Sequence, residues 1–178
     1  DINRSDKVFD VVDGRIVYGL MGIKGLGEAA AEEIITQRKK DGPYKDFMDF
    51  LNRVDLHSVN KRALEVLIKT GSFDHLGQNR PTLLQNMERA VEYTENIKNS
   101  TRFGQVSLFE DSGVQEFAEF RFTEVEDWPQ LEKLSIEKAL IGFYISGHPL
   151  DKYQTTIERS ATIKTNLLER AQNEKIYT

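Results

Sequence analysis

The chain has 178 residues, 39% apolar and 30% charged, with a mean hydropathy of −0.51 and a formal net charge of −5. That length can bury a core of one or two domains, and the lack of any apolar run of about 18 residues excludes a membrane-spanning helix. The absence of cysteine excludes disulfides, thiolate zinc sites and cysteine nucleophiles together. The negative charge weighs against nucleic acid only on average. Residues 1–104 carry 16 Lys and Arg against 16 Asp and Glu, while residues 105–178 carry 8 against 13, so the whole excess lies in the second part. A surface for a polyanion has to be local and confined to the first part.

The first residues, Asp1-Ile2-Asn3-Arg4, show no secretory pattern and read as the middle of a longer, cytoplasmic protein. Val8 to Val12 and Arg15 to Tyr18 flank Asp13-Gly14, a strong signal for a β-hairpin because a type I′ turn needs φ > 0 at both central residues. So small a ribbon is expected to pack on the helices that follow. Residues 1–19 form this first unit.

Ile23-Lys24-Gly25-Leu26-Gly27 comes next, between two predicted helices. A tight turn of this pattern exposes backbone N–H groups at the positive end of the following helix dipole, which together seat a phosphate. Gly25 and Gly27 are expected at φ > 0 with no Cβ to obstruct the ligand. Ile23 and Leu26 anchor the turn, and Lys24 points outward. The same pattern also reads as a plain helix C-cap followed by a second helix. Glu28 to Lys40 forms that second helix, with acids early and bases late as the macrodipole favours, and Asp41-Gly42-Pro43 stops it.

Phe47, Phe50, Leu51 and Val54 share one face of a short helix. Asn60 is placed as an N-cap, with Val59 and Leu64 as a hydrophobic staple and Gly71 at the C′ position of the helix between them. Lys61 and Arg62 stand at that helix start, where cations are disfavoured unless an anion binds; the alternative is a solvated basic pair. A longer helix runs from about Pro81 to Asn99 with Leu84, Met87, Val91 and Ile97 inward. Residues 20–103 thus read as two successive helix-hairpin-helix passages. From 104 to 128 the pattern dissolves into an extended acidic connector. At its start Gln105-Val106-Ser107-Leu108-Phe109 reads either as a peptide that docks on a partner or as a local strand folded back. Residues 129–178 hold a further helix, Leu131 to Tyr144, ended by Ser146-Gly147-His148-Pro149, and a polar tail. The fold expected is mainly α. His57, His75 and His148 are too scattered for a metal site, and no catalytic motif occurs.

Several of these blocks occur together. Tyr18 to Gly27, Asp55-Leu56 with Val59 to Glu65, Gly71-Ser72-Phe73-Asp74, Gly104 to Phe109, and Gly142 to Leu150 follow in one order. From Asn3 to Tyr153 the sequence resembles the alpha-subunit family of bacterial replicative DNA polymerase III. The resemblance implies a DNA-directed DNA polymerase whose palm aspartates, and the Mg they use, lie outside these residues, with no cofactor bound here. It implies a tandem helix-hairpin-helix domain on duplex DNA behind the active site, then a peptide for the sliding clamp and a linker toward an OB barrel. By position Lys24, Gly25 and Gly27 are similar to first-hairpin phosphate contacts, flanked by Ile23 and Leu26. Lys61 and Arg62, beside Asn60, are similar to the second. Gln105, Leu108 and Phe109 look like the clamp anchors, with Val106 and Ser107 between them. The implied partners are primer-template duplex, the sliding clamp and other holoenzyme subunits, with no membrane. Two other readings fit the turn alone: a helix-hairpin-helix module of a repair or recombination protein, and a helical adaptor that binds no nucleic acid.

Overall fold

The computed structural model describes residues 1–102 and 120–161. The Gln105–Phe109 peptide and residues 162–178 lie outside them. The ribbon forms as its turn dictates: β1 (Asp10–Val12) pairs antiparallel with β2 (Arg15–Val17), Val11 opposite Ile16, with Asp13 at φ 53° and Gly14 at φ 72°. It joins the helical body at its base, where the N–H groups of Leu20 and Met21 donate to the carbonyls of Asp6 and Lys7. Beyond that base it is exposed, Val11 to 66% and Ile16 to 79%. Only the foot of the ribbon therefore packs, and its tip stands clear.

The first passage is shorter than its pattern suggests. Leu20–Gly22 is a single 3-10 turn rather than a helix, and α1 (Glu28–Asp41) follows the glycine turn. α2 (Phe47–Arg53) starts on Asp46, whose carboxylate accepts the Asp49 N–H. α3 (Lys61–Lys69) starts on Asn60, whose Oδ1 accepts the Ala63 N–H at 3.0 Å. Val59 and Leu64 are both fully buried, as a staple requires. The α3 C-terminus is a Schellman motif: Ser72 N–H reaches Leu67 O, Gly71 N–H reaches Ile68 O, and Gly71 sits at φ 72°.

α4 (Arg80–Arg102) lies across α2 and α3. Its buried face is Leu83, Met87, Ala90, Val91 and Thr94, so the inward stripe runs through Leu83, with Leu84 only partly buried. Phe47, Phe50, Phe73 and Tyr44 fill the centre, with Phe50 edge-on to both Tyr44 and Phe73. Cations close the helix ends. The Arg53 guanidinium donates to Gln37 O at 2.8 Å and Gly42 O at 2.6 Å. Lys98 Nζ donates to Leu51 O at 2.9 Å and Val54 O at 3.0 Å. Each ties the orphan carbonyls of one helix to another element.

Residues 120–129 carry no regular structure, yet this stretch is more than a solvated connector. Phe120 and Phe122 pack on the core. The Asn86 amide pairs with the backbone of Thr123 on both sides, Nδ2 to O at 2.8 Å and N to Oδ1 at 3.0 Å. Thr82 Oγ1 accepts the Val125 N–H at 2.9 Å, and Asn79 Nδ2 donates to Val125 O at 2.9 Å. α5 (Gln130–Leu140) then packs on α3, ending at Ile141 and Gly142 (φ 89°), earlier than the Ser146 stop that its sequence suggests. It is locked by charge: Arg80, 4% exposed, spans Asp74 (2.6 Å) and Glu137 (2.9 Å), and Glu137 is fully buried. The other Glu137 oxygen accepts the N–H groups of Ile145 (2.8 Å) and Ser146 (3.0 Å). A short exposed helix, α6 (Gln154–Ser160), ends the described chain. Among the described residues no helix is long and apolar enough to cross a membrane.

Candidate nucleic-acid interface

In the first turn Ile23 and Leu26 are buried at 6% and 7% exposure and act as its anchors. Gly25 takes the left-handed conformation at φ 92°. Gly27 does not: it is the extended N-cap of α1, at φ −78° and ψ 158°. Its backbone would accept any residue, and a Cβ there would meet nothing within 4 Å. What glycine provides at 27 is open space in front of the helix. The N–H of Lys24 is occupied, donating to Leu140 O at 2.9 Å. Those of Gly25, Gly27, Glu28, Ala29 and Ala30 have no partner among the described residues.

In the second turn Asn60 spends its side chain on the α3 N-terminus, leaving the Lys61 and Arg62 N–H groups unpaired among the described residues. The two basic side chains part company. Lys61 Nζ sits 3.2 Å from Glu88 on α4, in an exposed pair. Arg62 turns the other way, its Nε 3.9 Å from the point that a Gly25 Cβ would occupy.

The two turns therefore converge. One open groove of about 740 Å³ is lined from the first passage by Gly25, Leu26, Gly27, Ala29 and Ala30. From the second it is lined by His57, Ser58, Asn60, Arg62 and Ala63. Two helix N-termini, those of α1 and α3, face the same space. Arg62 is the lining side chain that carries a permanent charge, and no carboxylate lines the groove. Lys24 and Lys61, both expected at the site from sequence, are not among its walls. His57 and Ser58 are: Ser58 opens the Ser58-to-Arg62 stretch that the sequence offers as a second phosphate seat, whereas no local signal marks His57.

Charge at the α1 entrance is managed by one lysine. Glu28 and Glu32 would repel an anion near the helix start, but both pair with Lys7, Glu32 at 2.7 Å and Glu28 closer still. The hydrogen bond from Lys7 holds the Glu28 carboxyl below its usual range, and the two glutamates in turn raise the Lys7 ammonium. Such an arrangement, free N–H groups beside an exposed guanidinium with the nearby acids partly offset by Lys7, is suited to binding an oxyanion. Among the described residues no three His, Asp or Glu come together as a metal would require.

The model of the helix-hairpin-helix motif family matches residues 1–83. The DNA polymerase III subunit alpha of Treponema pallidum is 43% identical over 177 residues, covering 99% of this chain and 15% of that protein. That of Borreliella burgdorferi is 43% identical over 165 residues, covering 92% and 14%. That of Vibrio cholerae is 37% identical over 168 residues, covering 93% and 14%.

Proposed function

The chain belongs to the DNA polymerase III subunit alpha family, spanning about 15% of the length of the relatives it matches, and from that premise we propose that it is the duplex-gripping, clamp-tethering part of a replicative polymerase. The observation that carries the DNA grip is the shared groove: two helix N-termini that each keep N–H groups unpaired among the described residues, and one guanidinium, with no carboxylate, facing the same opening. Backbone N–H groups and Arg62 recognise phosphate oxygens and touch no base edge, so the grip is independent of sequence. It holds primer-template duplex for nucleotidyl transfer performed elsewhere in the longer protein, in the bacterial cytoplasm. The repair-module reading gives way because similarity to the polymerase subunit runs over 99% of the chain, far past the hairpins.

Affinity for duplex DNA is expected to fall with salt. If each turn engages one phosphate and Arg62 helps a third, two or three counterions are released, and the dissociation constant rises roughly ten- to fortyfold between 50 and 200 mM salt. Fluorescence anisotropy of a labelled 20-base-pair duplex measures this. An affinity that does not change with salt removes the phosphate grip.

The clamp tether rests on the Gln105–Phe109 peptide, an apolar Leu-Phe pair with a glutamine at its rim. A second attachment to a ring already on DNA raises the effective concentration of the polymerase at the primer end. Replacing Leu108 and Phe109 together by alanine is expected to abolish binding to the sliding clamp while duplex affinity stays within about twofold of the parent chain. Loss of both activities would mean that the peptide belongs to the fold.

A further inference from the structure

The C-terminus of α5 ends against the back of the first turn, and the two complete one another's hydrogen bonding. A helix leaves its last carbonyls without partners. Here the Leu140 carbonyl takes the Lys24 N–H at 2.9 Å, and the Ile141 carbonyl takes the Tyr18 hydroxyl at 2.9 Å. That hydroxyl also lies 3.0 Å from the carbonyl oxygen of Gly22, at the start of the turn. A phenol has one proton, so the two carbonyls share it, one on each element. The ring itself is fixed in place: Phe9 stacks edge-on to it at 4.5 Å, and a Cβ on Gly22 would fall 2.4 Å from its Cε1.

We propose that Tyr18 is a positioning residue of the DNA-gripping turn, which sets Gly25 and Gly27 for a phosphate by pinning the turn to the end of α5. The inference rests on the duplex-binding reading above and adds to it a coupling. The segment that follows the clamp peptide, by way of α5, fixes the shape of the grip. α5 is in turn held by Glu137 on Arg80, so docking of the helix and readiness of the turn rise and fall together.

The test is Tyr18→Phe in the 178-residue chain, which keeps the ring over Gly22 and removes only the hydroxyl that donates the shared proton. Anisotropy with the 20-base-pair duplex at 50 mM salt is expected to show about fivefold weaker binding, the loss of one hydrogen bond. The slope against salt should not change, because no phosphate contact is removed. Amide exchange at Lys24, read without DNA, should accelerate, and the melting temperature should stay within a few degrees. Glu137→Gln, checked for folding by its melt, should also weaken binding, and the double variant should bind no more weakly than the worse single. Parent-like affinity in Tyr18→Phe, or strictly additive effects in the double variant, overturns the inference. If the parent chain itself fails to bind duplex, the duplex-binding reading falls instead, a result distinct from either.

Discussion

Replacing Glu137 by alanine is expected to cost about 3–5 kcal/mol of folding stability, the usual result of removing one partner from a buried ion pair. Three groups lose their acceptor at once: the Arg80 guanidinium, 4% exposed, and the N–H groups of Ile145 and Ser146. Arg80 retains Asp74 at 2.6 Å, which limits the loss. For a domain of this size the melting temperature should fall by roughly 6–20 °C. The exposed pair Lys61–Glu88, 3.2 Å apart, offers the contrast: Lys61→Ala should change stability by no more than about 1 kcal/mol. Acid should act on Glu137 in the same direction. Burial alone would raise its pKa, but the Ser146 and Ile145 N–H groups and Arg80 outweigh it and hold the carboxyl below the usual range. A depressed folded pKa gives stability that is complete above the ordinary glutamate value and lost as pH falls through the lowered one. Thermal melts from pH 7 down to 3 should show that decline in the parent chain and a shallower one in Glu137→Gln. A Glu137→Ala chain that melts like the parent would show that the charge network is dispensable.

Gly27→Asp is expected to separate stability from DNA binding. Position 27 is an extended N-cap with nothing within 4 Å of a Cβ, so the fold admits the aspartate. Its carboxylate would accept the free N–H groups of α1, gaining a few tenths of a kcal/mol over glycine as a cap. Those are the groups a phosphate needs, and the new charge repels one. At about 4 Å the repulsion is of order 4 kcal/mol for an effective dielectric near 20. Half that, after relaxation, weakens duplex binding about thirtyfold. The outcome to look for is a melting temperature equal to or above the parent's with binding lost by anisotropy. Retained binding would remove the α1 entrance as the phosphate seat, and a lower melting temperature would mean that the fold requires glycine there.

Local chemistry was legible in the sequence wherever neighbours in the chain decide the outcome. Asn60 caps α3, Val59 and Leu64 staple it and Gly71 ends it because each interaction lies within five residues. The Asp13-Gly14 turn and the Ile23–Gly27 turn are local in the same way. What escaped was set by distant partners. Arg80 and Glu137 are 57 residues apart, and a charge pair at that separation looks like two solvated side chains. Lys98 and Arg53 were hidden for the same reason, since a cation that closes another helix carries no local mark. Gly27 serves space and not φ, a difference set by what packs around the turn and not by the residue type. The groove itself depends on the relative placement of α1 and α3, so sequence gave Arg62 and Lys61 as a pair where packing sends them to opposite sides.

The contacts of α4 with residues 123–125 bear on how this protein can change over evolutionary time. Asn86 and Thr82 bind only main-chain atoms of Thr123 and Val125, so the docking rule is written on the helix and not on the segment it receives. Glu124 and Glu126, exposed between those anchor points, are then free to drift in identity and charge without disturbing register. The constraint falls elsewhere: proline at 123 or 125 would delete the N–H that each helix side chain accepts. A segment built in this way can be retuned to new surroundings, residue by residue, while its course over the helix stays the same.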